Sequence, residues 1–282
     1  MDSMRNILVI VDPTAPDPQP AIDKAQRLAV ALRADLELIA CETRAVRELR
    51  AARGLANAGA QRSIEDWLEQ QRESLARALA PKGLDVQSAI IRGDPLHERI
   101  IAWLRDSPAD LVIKDTHHHP LVRRTFLGNT DWHLIRDCPR ALLLTKPAPW
   151  AQPPALAAAV DPRGSGHEEE PLDERILGCA RSLCAAFDAR LRVVHAYLPE
   201  LALAAGIAGT ALGVSPAEFE AEQAMQRGRI EALLERCALS GAELCVEMGA
   251  AVIGSTAEHV LERLPCDVLI VRAPELAADL PF

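Results

Sequence analysis

NILVIVDP at residues 6–13 and ALAAAVDP at residues 155–162 are one phrase written twice, an apolar run that ends in Asp-Pro. A polar turn rich in Pro or Gly follows each, and then a helical pattern. In the first copy Ile22, Ala25, Leu28, Ala29 and Leu32 recur at helical spacing, with Pro20 suited to the first turn. Ile176, Ala180 and Leu183 do the same in the second copy, and both helices run into an extended segment, ADLELIA and ARLRVVHA. An irregular stretch and a long helix come next. The second of these helices opens with Ser215-Pro216-Ala217-Glu218, a capping box with Pro at the first helical position.

The copies also end alike. Gly128-Asn129-Thr130 leads a helix through His133 to Cys138-Pro139 and the strand ALLLT. Gly254-Ser255-Thr256 leads a helix through His259 to Pro265-Cys266 and the strand DVLIV. PAPWAQPP between them reads as a stiff linker. The expected division is a first domain over 1–147, a linker over 148–154 and a second, shortened domain over 155–274. Strands alternating with helices imply an α/β fold, a parallel sheet wrapped by helices in each copy. Ligands of such sheets bind beyond the strands' C-terminal ends. A Gly followed by hydroxyl residues at a helix start suits an anion there, through free N–H groups and the helix dipole.

Composition narrows the function. The 282 residues carry a net charge of -9 without a basic run, which argues against DNA or RNA as partner. Aromatics make up 3% of the chain, so the cores must be built from Ala, Leu, Val and Ile. Seven cysteines without a CxxC pair fit free thiols in a reducing compartment rather than a disulfide framework. Ile7 to Val11 is too short for a signal-peptide core, and Leu201 to Val214 is too short and too glycine-rich to span a bilayer. The expected location is the cytoplasm.

DLVIKDTHHHPLVRRTFLGNTDWHLIRDCPRALLLTK and GSTAEHVLERLPCDVLIV resemble the ends of the two halves of tandem universal stress proteins, the bacterial E type. The resemblance covers nearly the whole chain. It implies two flavodoxin-like units, of the adenine nucleotide alpha hydrolase-like kind, paired as an internal pseudo-dimer. A further homodimer stays open. It also implies, for some members, an adenine nucleotide such as ATP. Their signature is Gly-x2-Gly-x9-Gly-Ser/Thr after the fourth strand. Here Asp115 and His118 stand at the first two glycine positions, which puts a carboxylate and a side chain where phosphate would lie. The candidates for a nucleotide, or for another phosphate-bearing small molecule, are Asp12, Gly128, Asn129 and Thr130 in the first half, and Asp161, Gly254, Ser255 and Thr256 in the second.

The second half departs further. Between Gly93 and Gly128 the first copy holds a Pro-started helix and the strand ADLVIKD, whereas the few residues from Gly249 to Gly254 have room for neither. The family's sheet order is 3-2-1-4-5, with first-half strands expected at 7–11, 35–40, 86–91, 110–114 and 141–145. For the second half a four-stranded sheet is expected, with 242–247 in the central slot between 155–160 and 267–271. A gap at the centre would leave backbone donors unpaired, at about 1–3 kcal/mol each if buried. The alternative leaves 242–247 at the edge beside 191–196.

His117, His118 and His119, with Asp115, Asp131 and His133 nearby, have the residue types of a transition-metal site. Three consecutive residues cannot all face one ion, and the bland reading is a polar loop. Arg123 and Arg124, with Lys114 behind them, suit a clamp on an anionic ligand near Gly128, whereas solvated loop charges are the commoner outcome for such residues. His133 and His259 match in position and read as structural. Neither GxSxG, HExxH nor a Walker loop is present, so no catalytic residue is assigned. The leading expectation is a stress-response regulatory protein that binds a ligand or partner. The rivals are a slow ATP hydrolase and a metal protein using His117 to His119.

Overall fold

The computed structural model describes residues 4–15, 18–52, 63–116, 129–162, 172–197, 216–248 and 264–271. The chain divides into two compact units, Asp2–Pro149 together with Val260–Phe282, and Trp150–His259.

In the first unit five strands run parallel: β1 (Asn6–Val11), β2 (Asp35–Glu42), β3 (Val86–Arg92), β4 (Leu111–Asp115) and β5 (Ala141–Thr145). Their order is 3-2-1-4-5, as the sequence led us to expect, with strand bounds within two residues. β1 is a continuous apolar run because both of its faces are covered. Leu8 and Ile10 join Ile39 of β2 in a core closed by Ile100, Ile101 and Leu104 of α4 (Leu96–Asp106) and Leu134 of α5 (Asn129–Asp137). On the opposite face Ala21, Ala25 and Ala29 of α1 (Pro20–Leu32) are fully buried, since alanine lets the helix lie close to the sheet. α1 starts at Pro20 and stops at Arg33, whose φ of 55° ends the helical hydrogen-bond ladder. Two more helices belong to the unit, α2 (Arg44–Ala52) and α3 (Ile64–Leu79). Ser63 starts α3 through a reciprocal capping box with Asp66.

The first unit has a sixth strand from the far end of the chain. β9 (Val268–Ile270) pairs antiparallel with β5, Leu143 opposite Leu269. Beside it a buried ion pair fastens the strand: Lys24 Nζ lies 2.8 Å from the Asp267 carboxylate, with side-chain exposures of 4% and 10%. Lys24 also donates to the Lys146 carbonyl at 2.5 Å, and the Lys146 N–H donates to Asp267 at 2.7 Å.

The described residues of the second unit form a three-stranded parallel sheet, β6 (Ala155–Ala159), β7 (Arg190–Tyr197) and β8 (Glu243–Met248), in the order 6-7-8. This corrects the expectation for 242–247. β8 pairs with β7, Val193 opposite Leu244, and not with β6, and the last strand lies against β5 of the other unit. The reason is topological. β8 is reached from β7 over α7 (Pro216–Arg236) as β3 is reached from β2 over α3, and the same crossover places it outside β7. No central gap arises, because the fourth and fifth positions are absent from this sheet and β6 becomes an edge among the described strands. α6 (Leu172–Phe187) and α7 supply Leu177, Ala180, Ile230, Leu233 and Leu234 to a core with Ala158, Val160, Val193, Tyr197 and Val246. On the sheet's other face Ala155, Ala157 and Ala159 are exposed, and Arg192 pairs with Glu243 at 2.7 Å in solvent. Leu8 and Ile10, the residues that match Ala157 and Ala159, lie under α4 and α5 in the first unit.

Candidate functional site

The first sheet reverses its winding between β1 and β4, and the C-terminal ends of those strands border a cleft of about 460 Å³. Asp12 follows β1 directly. Thr14 holds its Oδ1 twice, through N–H at 2.8 Å and hydroxyl at 2.6 Å. Buried Gln19 clamps the Asp12 backbone from both sides, donating to its carbonyl at 2.7 Å and accepting from its N–H at 3.1 Å. The turn is thus fixed before any ligand arrives.

The other walls come from three places. After β2, Thr43 Oγ1 accepts from the Val46 N–H at 3.1 Å and starts α2, which brings Ala45, Val46 and Leu49 to the cleft. After β3, Gly93 at a φ of 117° turns the chain so that Asp94 accepts from the Arg44 N–H at 3.0 Å. Residues with a Cβ rarely adopt that φ. At the end of β4, Lys114 pairs with Asp131 in the first turn of α5 at 2.7 Å, and its Nζ also donates to the Asp115 carbonyl at 3.0 Å. Asp115 itself is buried and accepts from the Thr145 hydroxyl at 2.5 Å. Thr130 completes the lining.

Cys41 lines the same cleft, and burial pushes its thiol up to about 12, with the Lys114 charge lowering it and the Asp12 charge raising it. Burial likewise pushes the Cys179 thiol to about 11. Both therefore stay protonated and unreactive at neutral pH. In the folded protein at pH 8, a thiol-titrating disulfide reagent will label exposed Cys266 in the fast phase and leave Cys41 and Cys179 unlabelled. Rapid labelling of Cys41, read by peptide mass mapping, would contradict this account of the cleft floor.

Of the sequence-derived candidates, the structure brings Asp12 and Thr130 to one cleft. Asn129 opens α5, the helix beside it. Asp161 stands in the second unit, 4.0 Å from the Nδ1 of fully buried His195. That Nδ1 lies 2.9 Å from the Val160 carbonyl, so it carries the proton. The Asp161 N–H donates to Asp173 at 3.1 Å, and burial of the Asp173 carboxyl raises its pKa. Gly128, Gly254, Ser255, Thr256 and His117 to His119 lie outside the described residues, as do Arg123 and Arg124. Among the described residues no group of three His, Cys, Asp or Glu side chains is placed to hold a metal ion. His133 stacks on His97 of α4, ring centroids 3.7 Å apart, which is a packing role.

Sequence reasoning did not assign Asp94, Thr43 or the α2 wall to the site, and it read Asp131 only as a neighbour of the candidate metal-binding histidines. Asp94 had a signal in Gly93-Asp94-Pro95, a turn at a strand end. The α2 wall had none, because Arg44–Ala52 is short and polar and buries no residue.

The Universal stress protein family profile matches residues 4–146. Universal stress protein E of Escherichia coli K12 is 24% identical, with 96% of this chain and 95% of that protein covered. The Universal stress protein E homolog of Haemophilus influenzae is 23% identical over 95% of this chain and 97% of its own. Among solved structures, one described as a universal stress protein from Pseudomonas aeruginosa UCBPP-PA14 superimposes with a TM-score of 0.71 at 24% identity, covering 98% of this chain and 96% of that one. With the five parallel strands in flavodoxin-like order and the cleft at their switch point, these matches place the chain in the universal stress protein family.

Proposed function

We propose that this chain is a stress-response regulatory protein that acts by binding a small ligand in the first-unit cleft, and that it does not turn over ATP. One observation carries the reading: β1, β2, β3 and β4 deliver Asp12, Thr43, Asp94 and Lys114, together with Thr130 of α5, to a single cleft of about 460 Å³. A turn fixed by Gln19 and Thr14 is the kind of preformed feature that small-ligand sites use. Among the described residues the lining offers neither a metal-ligand set nor a nucleophile paired with a base, which supports binding over catalysis. Family resemblance supports an adenine nucleotide as the ligand to test first. Asp115 in place of the signature's first glycine argues that ATP is held weakly. Seven cysteines without a CxxC pair fit a cytoplasmic location.

Isothermal titration tests the reading. ATP with magnesium will bind more weakly than about 100 μM, and no phosphate will be released over hours. A sub-micromolar constant that is lost in Val46→Trp, which fills the cleft, would refute weak binding while keeping the site. Steady release of phosphate, abolished in the same variant, would refute the regulatory reading.

A further inference from the structure

Taking the first-unit cleft as a ligand site, the charges on its wall specify what enters. Four carboxylates line it, Asp12, Asp94, Asp115 and Asp131, against one ammonium, Lys114. That ammonium is already engaged by Asp131 and by the Asp115 carbonyl. An anion therefore finds no uncommitted cation among the described lining residues. The helix start that could attract a phosphate is also taken. Asp131 lies in the first turn of α5 at 2% exposure, so the positive end of the helix faces its own carboxylate. Asp12 and Asp94 each offer an oxygen beyond the one that their backbone and hydroxyl donors hold. Between the carboxylates the wall is apolar: Ile10, Val11, Val46, Leu49 and Leu96.

We propose that the cleft receives an organic cation, a protonated amine carried on an apolar chain, and excludes nucleoside polyphosphates. The amine sits between Asp12 and Asp94, where each lost carboxylate weakens binding, and the chain lies along Val46, Leu49 and Leu96. Coulomb interaction with these carboxylates attracts an ammonium and repels a triphosphate.

The opposite edge of the first sheet requires that the test report position. There a second cavity of about 360 Å³ is lined by Asp35, Glu37, Asp85, Asp106 and Trp103, and it too could attract cations. Spermidine, adenosine and magnesium ATP are each titrated into the full-length, isotope-labelled protein while backbone amide resonances are followed. Spermidine is expected to move the amides of Thr43, Val46 and Asp94 in a saturable way, with a dissociation constant raised about fivefold in Asp94→Asn and again in Asp12→Asn. Raised salt should weaken it in parallel. Movement of the Trp103 indole alone overturns the proposal, because the cation then goes to the opposite edge. Tighter binding of adenosine or ATP than of spermidine at the Thr43 and Val46 amides also overturns it, and leaves the cleft standing as a ligand site. If none of the three probes moves these amides at millimolar concentration, the cation proposal and the cleft reading both fall. Circular dichroism of each variant keeps a folding defect from passing as lost binding.

Discussion

Asp267→Ala will lower the stability of the first unit by about 3–5 kcal/mol, because it strands the Lys24 ammonium at 4% exposure without its carboxylate. The loss also removes the acceptor of the Lys146 N–H, so the lesion reaches the end of β5 as well as the pair itself. Urea unfolding followed by tryptophan fluorescence reads this unit selectively: Trp67, Trp103 and Trp132 lie in it, whereas Trp150 lies in the other. A paired replacement separates charge from packing. Lys24→Met with Asp267→Leu should recover most of the stability, since a well-packed apolar pair often equals a buried ion pair. If Asp267→Ala costs less than about 1 kcal/mol, the pair is solvated and β9 is held by its three-residue ladder alone.

The second large effect exploits the repeat. Ile39 and Val194 occupy matching places on β2 and β7, each opposite the residue two places before Asp12 or Asp161. Ile39 is fully buried in the core that α4 closes, whereas Val194 is half-buried on a face where the neighbouring alanines are exposed. Ile39→Ala should therefore cost about 3 kcal/mol through lost contacts and a residual cavity. Val194→Ala should cost under about 1.5 kcal/mol, as its surroundings can be filled by water. Calorimetry that resolves the two units' transitions checks both, and equal losses would show that the second sheet's outer face is packed like the first's.

The residues differ in how much of this architecture they announced. β1 could be read directly because a run such as ILVIV, stopped by Asp-Pro, suits only a strand buried on both faces. The partners of β8 and β9 could not. Glu243–Met248 and Val268–Ile270 are short apolar runs, and a strand's neighbours are chosen by crossover length and tertiary packing, which local sequence does not encode. The second copy does carry one local hint. LAAAV replaces ILVIV in the second copy, and alanine is a poor strand former that gains little from a covering helix. Branched residues give way to alanine at 157 and 159, on a face that no helix covers among the described residues. At the cleft, Asp12 and Thr130 could be found by motif. Asp94 and the α2 wall depend on how Gly93 and Thr43 turn the chain, which emerges only when β2 and β3 lie side by side.

The antiparallel ladder between β5 and β9 also sets an order on biosynthesis. Leu142 leaves the ribosome long before Ile270, its partner, so five strands can assemble while the sixth is still unmade. During that interval the outer backbone of β5 has no partner from β9, and the nascent protein must keep that edge from recruiting a strand of another chain. Loop-closure entropy makes so distant a pairing the slowest in the sheet. The Lys24–Asp267 contact can form only at that last step, so maturation of the first unit waits for the second to be translated.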